Sequence, residues 1–274
     1  MKISAILLTS FSGALAFAPT FHVPKFPSST SLSANIAVFG ASGLTASECV
    51  YQALNNGDKV FGLTRNPSNL VIPKGSGGDK ADQKLSNPNL TLIGGSATEA
   101  GDVAKIFEGN DIDGVVIALG GKTKDVGTTM LTDATKTILN AMKANGVKRV
   151  SVVTSIGAGD SKDQAPFMFK VLMATVMKNI FVDKNNQEEL VKSSSDLEWC
   201  IVRPGGLTVE PPTGVINVIE GEAGSIARAD VAQFCLDAIT VDDFPYINKA
   251  PCISSVGGTS WVKDRSAKAR DGME

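Results

Sequence analysis

Three short runs in this sequence have residue types that can do chemistry. The first is Gly40-Ala41-Ser42-Gly43-Leu44-Thr45-Ala46, a Gly-x-x-Gly-x-x-Ala turn. It stands directly behind the apolar run Ile36–Phe39 and ahead of a helical stretch from Thr45 to Asn56. In that context, Gly40 permits a tight turn and Gly43 lets the backbone approach a pyrophosphate. Ala46 replaces a third glycine that close helix–strand packing would otherwise need. The helix behind the turn offers unpaired N–H groups and a partial positive charge to the phosphates. Gly40, Ala41, Ser42, Gly43, Leu44 and Thr45 are therefore expected to bind a dinucleotide.

The second run selects the dinucleotide. An NAD site carries Asp or Glu about 20 residues past the turn, bonded to the ribose 2′-OH. Here the region reads Gly62-Leu63-Thr64-Arg65-Asn66, without an acid. Arg65 can pair with a 2′-phosphate through its guanidinium fork. The expected cofactor is NADP(H). The third run, Ala118-Leu119-Gly120-Gly121, ends the fourth expected strand. Small residues there, Leu119 and Gly120 with them, let the backbone pass along the cofactor.

Composition removes other chemistries. The chain has 274 residues, 26 Lys and Arg against 28 Asp and Glu, and a net charge of −2. Without a basic bias, a nucleic-acid surface is not expected. His22 is the single histidine and lies near the front. A mature protein lacking it has no His base and no His metal ligand, so Ser-His hydrolases, HExxH proteases and most catalytic zinc sites are excluded, and no metal site is expected. Cys49, Cys200, Cys235 and Cys252 form no CxxC pair, sit among apolar neighbours, and read as reduced core thiols.

The front end reads as an address. Lys2 precedes an apolar run from Ile3 to Phe17, too short for a span of about 20 residues, that ends at the small-x-small site Ala14-Leu15-Ala16. The expectation is a signal peptide over 1–16. Residues 17–34 are rich in Ser and Thr and hold no acid; the first acid in the chain is Glu48. That composition marks a transit segment. Ala16-Phe17-Ala18-Pro19 resembles the AFAP-like motif of the bipartite plastid presequence of algae with complex plastids. The resemblance implies the plastid stroma, without stable membrane insertion; plain secretion is the alternative.

These residues need a scaffold that brings strand ends together. From Asn35, short β-branched runs alternate with helical stretches. Strands are expected at 36–39, 59–64, 90–93, 114–118, 149–154 and 199–202. Helices are expected at 45–56, 98–107, 128–145, most of 167–193, and 229–239. Asn66-Pro67 should open a short helix, and Val71–Pro88 should be a surface loop. Alternation of this kind implies right-handed βαβ units. The fold class is α/β, a Rossmann-type doubly wound parallel sheet in a single domain over 35–260, with a loose tail over 261–274.

The chain resembles the atypical short-chain dehydrogenases/reductases with an NAD(P)-binding, NmrA-like domain, and looks closest to their flavin reductase/biliverdin reductase B-like branch. The resemblance spans Asn35 to about Ser255. It rests on Val38–Gly43, Leu63-Thr64-Arg65, Ala141–Val147, Val153-Thr154-Ser155, Ala227–Ala232 and, most specifically, Arg203-Pro204-Gly205-Gly206-Leu207. It implies that Pro204, Gly205 and Gly206 close over the nicotinamide end, with Thr154 beside it. It also implies Ser155 and Lys184 as the catalytic Ser and Lys. The family's main branch adds a Tyr four residues before the Lys, which gives its proton to a carbonyl. Here that position is Ile180, and neither Tyr51 nor Tyr246 fits it. The run Asp183–Glu188 is polar throughout, so a solvated face also suits Lys184.

A missing Tyr argues against ordinary alcohol or ketone chemistry. It suits a small-molecule acceptor that needs little protonic help, such as a flavin, quinone or linear tetrapyrrole. The expected function is an NADPH-dependent reductase of such a flat conjugated acceptor. The alternative is a non-catalytic NADP(H)-binding regulator or photosynthetic-complex assembly factor. The substrate pocket is expected from Gly157–Phe169, Leu207–Thr213 and Trp261.

Overall fold

The computed structural model describes residues 33–120, 127–220 and 224–255. The expected presequence up to residue 32, Gly121, Trp261 and the expected tail lie outside the described residues. The first crossover shows how sequence becomes architecture. Strand β1 (Asn35–Phe39) is apolar on both faces and fully buried beyond its first residue. Its chain turns at Gly40 into helix α1 (Leu44–Asn55), whose buried Ala46, Cys49, Val50, Ala53 and Leu54 repeat at helical spacing. Asn56 caps this helix, and Gly57 takes the left-handed φ of +92° that lets the chain reverse. Strand β2 (Lys59–Thr64) then pairs parallel to β1, Ile36 opposite Val60 and Phe39 opposite Leu63.

The pattern continues through α2 (Lys74–Gly77), β3 (Leu90–Gly94), α3 (Ala100–Phe107), β4 (Gly114–Ile117), α4 (Met130–Ala144) and β5 (Arg149–Val153). Next come α5 (Phe167–Ala174), α6 (Lys178–Lys192), β6 (Glu198–Pro204), β7 (Gly206–Thr208), β8 (Ile216–Ile219), β9 (Ser225–Ala227), α7 (Arg228–Thr240) and β10 (Cys252–Ser255). The main sheet runs β3-β2-β1-β4-β5-β6-β10-β8. The strand order reverses between β1 and β4, which opens a crevice at their carboxyl ends. This is the expected Rossmann-type α/β fold in a single domain. The sheet is parallel except at β8, an edge strand antiparallel to β10, and β7 pairs with β9 in a small separate ladder.

Two cores cover the sheet. One packs α1 and α7 on one face and buries Cys49, Cys200 and Cys235. The other packs α3, α4 and the end of α6 on the opposite face. All four cysteines are buried and free. Asn66 opens the expected short helix, its side chain accepting from the Ser68 amide. Residues 71–88 are a surface loop only in part: 78–84 are largely exposed, but Ile72, Pro73, Gly75, Gly77 and Leu85 are buried. Leu70, Ile72 and Leu85 plug the first core, and the buried Glu48 carboxylate accepts from the amides of Gly75 and Ser76. This folded strap, with the one-turn helix α2 in it, joins β2 to β3. Its Gly and Lys content hid three well-spaced apolar anchors.

Candidate functional site

The glycine turn is built from backbone. Gly40 has φ +87°, and a Cβ there would stand 2.8 Å from the Ala118 carbonyl oxygen. Only glycine fits both conditions. The amides of Gly40 and Ala41 donate to the Leu63 carbonyl, at 2.9 and 3.1 Å, which ties the turn to β2. Gly43 is the N-cap of α1, extended at φ −74° and ψ 155°, and has no side chain to satisfy the first turn. The first α1 amide to find a backbone partner is that of Ser47, on the Gly43 carbonyl. The amides of Leu44, Thr45 and Ala46 therefore point out of the helix start without a partner among the described residues. Leu44 is exposed beside them and Ala41 is fully buried under β2. Such a nest of donors, with no Cβ at Gly40 and Gly43, fits a pyrophosphate.

Ser42 reaches the other wall. Its hydroxyl lies 2.5 Å from that of Thr64, the last residue of β2. Arg65 follows at once, exposed and free of any carboxylate among the described residues. The turn and the cation thus share one rim. On the far side Leu119 packs with Leu131 and Ile180, and Gly120 is exposed with open space where a Cβ would stand.

The second half of the site is made by side chains. Lys184, 29 positions after Ser155 in sequence, reaches the carboxyl end of β5 beside it. The Lys184 ammonium donates to the Thr154 carbonyl at 3.0 Å, and Ser155 is the next residue, its hydroxyl donating to the Ile156 carbonyl. Lys184 is half-buried, and burial pushes its pKa down to about 8, against the opposing pull of Glu188 and Asp183. One helical turn earlier, Ile180 is buried in the Leu131 contact, where the family's main branch carries a hydroxyl.

The polar run 183–188 is not a solvated face. Asp183, Gln187 and Glu188 are buried, on the helical spacing that also buries Ile180 and Val191. Asp183 accepts from the amides of Leu131 and Thr132 at 2.7 and 2.9 Å, and so caps α4 from a neighbouring helix. Glu188 accepts from the Thr154 hydroxyl at 2.8 Å and from two nitrogens of Arg203. Arg203 also donates to Asp160 and to the Ala250 carbonyl. Burial alone would lower the guanidinium's pKa; hydrogen bonds and charge from Glu188 and Asp160 hold it above its ordinary value. These residues, absent from the sequence-derived site, hold the β5 corner. The period of α6 could have revealed them had buried polar residues been allowed into its core stripe.

Pro204 ends β6 and its carbonyl accepts from the Ile156 amide. The Gly205 amide donates to Ile253 and that of Gly206 to Gly224. Both amides serve the sheets, so this run can offer a ligand a wall rather than backbone donors. Asp230 pins the loop behind it, accepting from the Thr213 and Gly214 amides and from Ser255.

A family model described as NAD(P)H-binding matches residues 40–242, from the glycine turn through α7. An uncharacterized chloroplastic protein of Arabidopsis thaliana is 30% identical over 219 residues, covering 76% of this chain and 72% of that protein. Among solved structures, a short-chain dehydrogenase/reductase of Veillonella parvula in complex with NADP superposes with a TM-score of 0.66 at 17% identity, over 85% of this chain and all of that one. The anaerobillin reductase ChuY of Escherichia coli O157:H7 superposes with a TM-score of 0.62 at 23% identity, over 82% of this chain and 98% of that one. At these identities the two structures speak for the fold.

Proposed function

The chain belongs to the NAD(P)H-binding family, and from that premise we propose that it is an NADPH-dependent reductase of a flat conjugated acceptor of flavin, quinone or tetrapyrrole type. The observation that carries the reading is the corner where Lys184 bonds the Thr154 carbonyl beside Ser155 while Ile180 fills the place of the proton-donating Tyr. A positioning Lys and Ser without a strong acid suit an acceptor whose reduced form is stabilised by its own conjugation. The tetrapyrrole possibility is favoured by the name of the ChuY neighbour.

The cofactor supplies a hydride when bound; what the chain supplies is position. The amides of Leu44, Thr45 and Ala46 would hold the pyrophosphate, and Arg65 would hold the 2′-phosphate. Leu119 and Gly120 would flank the adenosine side, and Thr154, Pro204, Gly205 and Gly206 the nicotinamide end. Lys184, with a pKa of about 8, carries a proton that it can donate near the nicotinamide ribose, and Ser155 offers a hydroxyl to ring or acceptor. The second reading, a non-catalytic NADP(H)-binding regulator or assembly factor, draws on the same Ile180.

Following NADPH absorbance with purified residues 35–274 and flavin, quinone and tetrapyrrole acceptors separates the two. Turnover with one class supports the reductase. Tight NADPH binding without turnover on any of them leaves the regulator.

We place the protein in the plastid stroma, with residues 1–34 as a bipartite presequence. The acid-free front and the chloroplastic relative support this. A fusion of residues 1–40 to a fluorescent protein should accumulate in plastids, and export to the medium would refute the assignment.

A further inference from the structure

Helix α5 buries one side chain, Met173, which lies against Gly157, two residues past Ser155. Phe169 is half-buried against Phe181; the remaining large apolar side chains face out. Phe167 is 75% exposed, Met168 66%, and Val176, in the turn to α6, 66%, with Val171 and Leu172 between them also exposed. Single exposed apolar residues are ordinary on a protein surface, but five within ten residues form a patch. The charge of the segment is equally one-sided. From Gln164 to Val182 there is no acid, in a chain with 28 of them, and the only charges are Lys170 and Lys178. Lys178 is exposed and forms no ion pair among the described residues, while Lys170 reaches only the fully exposed Asp163, at 3.6 Å.

We propose that α5 and its turn into α6 dock on an anionic lipid surface. The apolar side chains enter the headgroup boundary and the two lysines meet the lipid phosphates. The protein lies on the surface rather than across it, because no helix among the described residues is long and apolar enough to span. A two-fold contact with a second copy fits less well, since a self-complementary interface would set the same cations against each other. Docking does not depend on the reductase reading. If that reading also holds, the Met173–Gly157 contact places the acceptor end of the site at the lipid surface, where a lipid-soluble acceptor such as a quinone is met.

The test is co-sedimentation with vesicles of phosphatidylcholine alone or mixed with phosphatidylglycerol. It uses the full chain and, in parallel, residues 33–274, which hold every described element, so that the apolar run 3–17 does not decide the result. Binding to the mixed vesicles, weakened by salt, is expected. F167S/M168S/V176S should weaken it about tenfold or more, and K170S/K178S should remove the preference for phosphatidylglycerol. These positions are exposed, apart from the half-buried Lys170, and unchanged circular dichroism and melting confirm that the variants fold. Absence of binding to both vesicle types, or binding that the substitutions leave unchanged, overturns the proposal. So does a concentration-dependent dimer, seen by light scattering, that the triple variant dissolves; that result would assign the face to a second copy.

Discussion

The two ends of the crevice are built on opposite principles. At the β1–α1–β2 end, main-chain groups make the site: a left-handed glycine, three unpartnered amides and one exposed arginine. At the β5–α6–β6 end, buried charges make it. Glu188, Arg203, Thr154 and Lys184 interlock through bonds that span 15 to 34 positions of chain. A backbone site tolerates no Cβ but is indifferent to most side chains, whereas a charge network fails when any one member is removed. The turn and its amides suit the pyrophosphate common to all nicotinamide dinucleotides, with the arginine beside them as the selective element. The second suits a corner whose chemistry is specific to one branch.

The comparison breaks most visibly at Arg203. R203M leaves the Glu188 carboxylate fully buried with only the Thr154 hydroxyl and a distant Lys192 at 3.7 Å. Removing one member of a buried pair costs about 3–5 kcal/mol. Urea unfolding should show that loss, with NADPH binding failing in step with the fold. A midpoint within experimental error of the unsubstituted protein would mean that the network does not hold the corner.

At the backbone end the counterpart is G40A. Its methyl would meet the Ala118 carbonyl oxygen at 2.8 Å in a φ that L-residues avoid. Strain of that kind costs about 1–3 kcal/mol, so both the melting temperature and NADPH affinity should fall, by less than in R203M. Isothermal titration of the folded variant separates the two losses. Undiminished affinity would show that the turn does not approach the phosphates.

The same contrast explains what could be read from the sequence. The glycine turn, α1, β2 and the positions of the first six strands were legible, because each follows from local spacing: apolar runs, a helical stripe, Asn56-Gly57 as a stop. The strap at 71–88 was partly misread because Gly and Lys dominate its composition while Leu70, Ile72 and Leu85 do the packing. Strands β7 to β10 were missed; three or four residues long, they are defined by partners up to 49 positions away. Ser155 and Lys184 were singled out only by resemblance. The bond that brings the Lys184 ammonium to the strand-end carbonyl before Ser155 leaves no trace in local sequence. Glu188 looked solvated because its counter-charge sits on another strand.

Cofactor choice sharpens the comparison without touching stability. Arg65 is exposed and bonded to nothing among the described residues, so R65A should leave the melting temperature unchanged. A lost charge-assisted contact to a 2′-phosphate is worth about 1.5–3 kcal/mol. NADPH affinity should therefore drop about tenfold to a hundredfold while NADH is hardly affected. Equal losses for both cofactors would remove Arg65 from the 2′-phosphate.

The smallest effect lies in the pH dependence of Lys184. Its pKa in the folded chain is about 8, below the ordinary 10.5, because burial penalises the ammonium. Between those values the unfolded chain holds more protons than the folded one, so this group's contribution to stability rises with pH from about 8 to 10.5. Activity moves the other way. If the ammonium donates at the nicotinamide end, turnover should fall roughly tenfold per unit above pH 8 while stability does not. K184M should flatten that limb of the rate profile and lower turnover throughout, with NADPH affinity changed less than in R65A. A limb that survives K184M would assign the titration to another group and leave Lys184 the role of holding the end of β5.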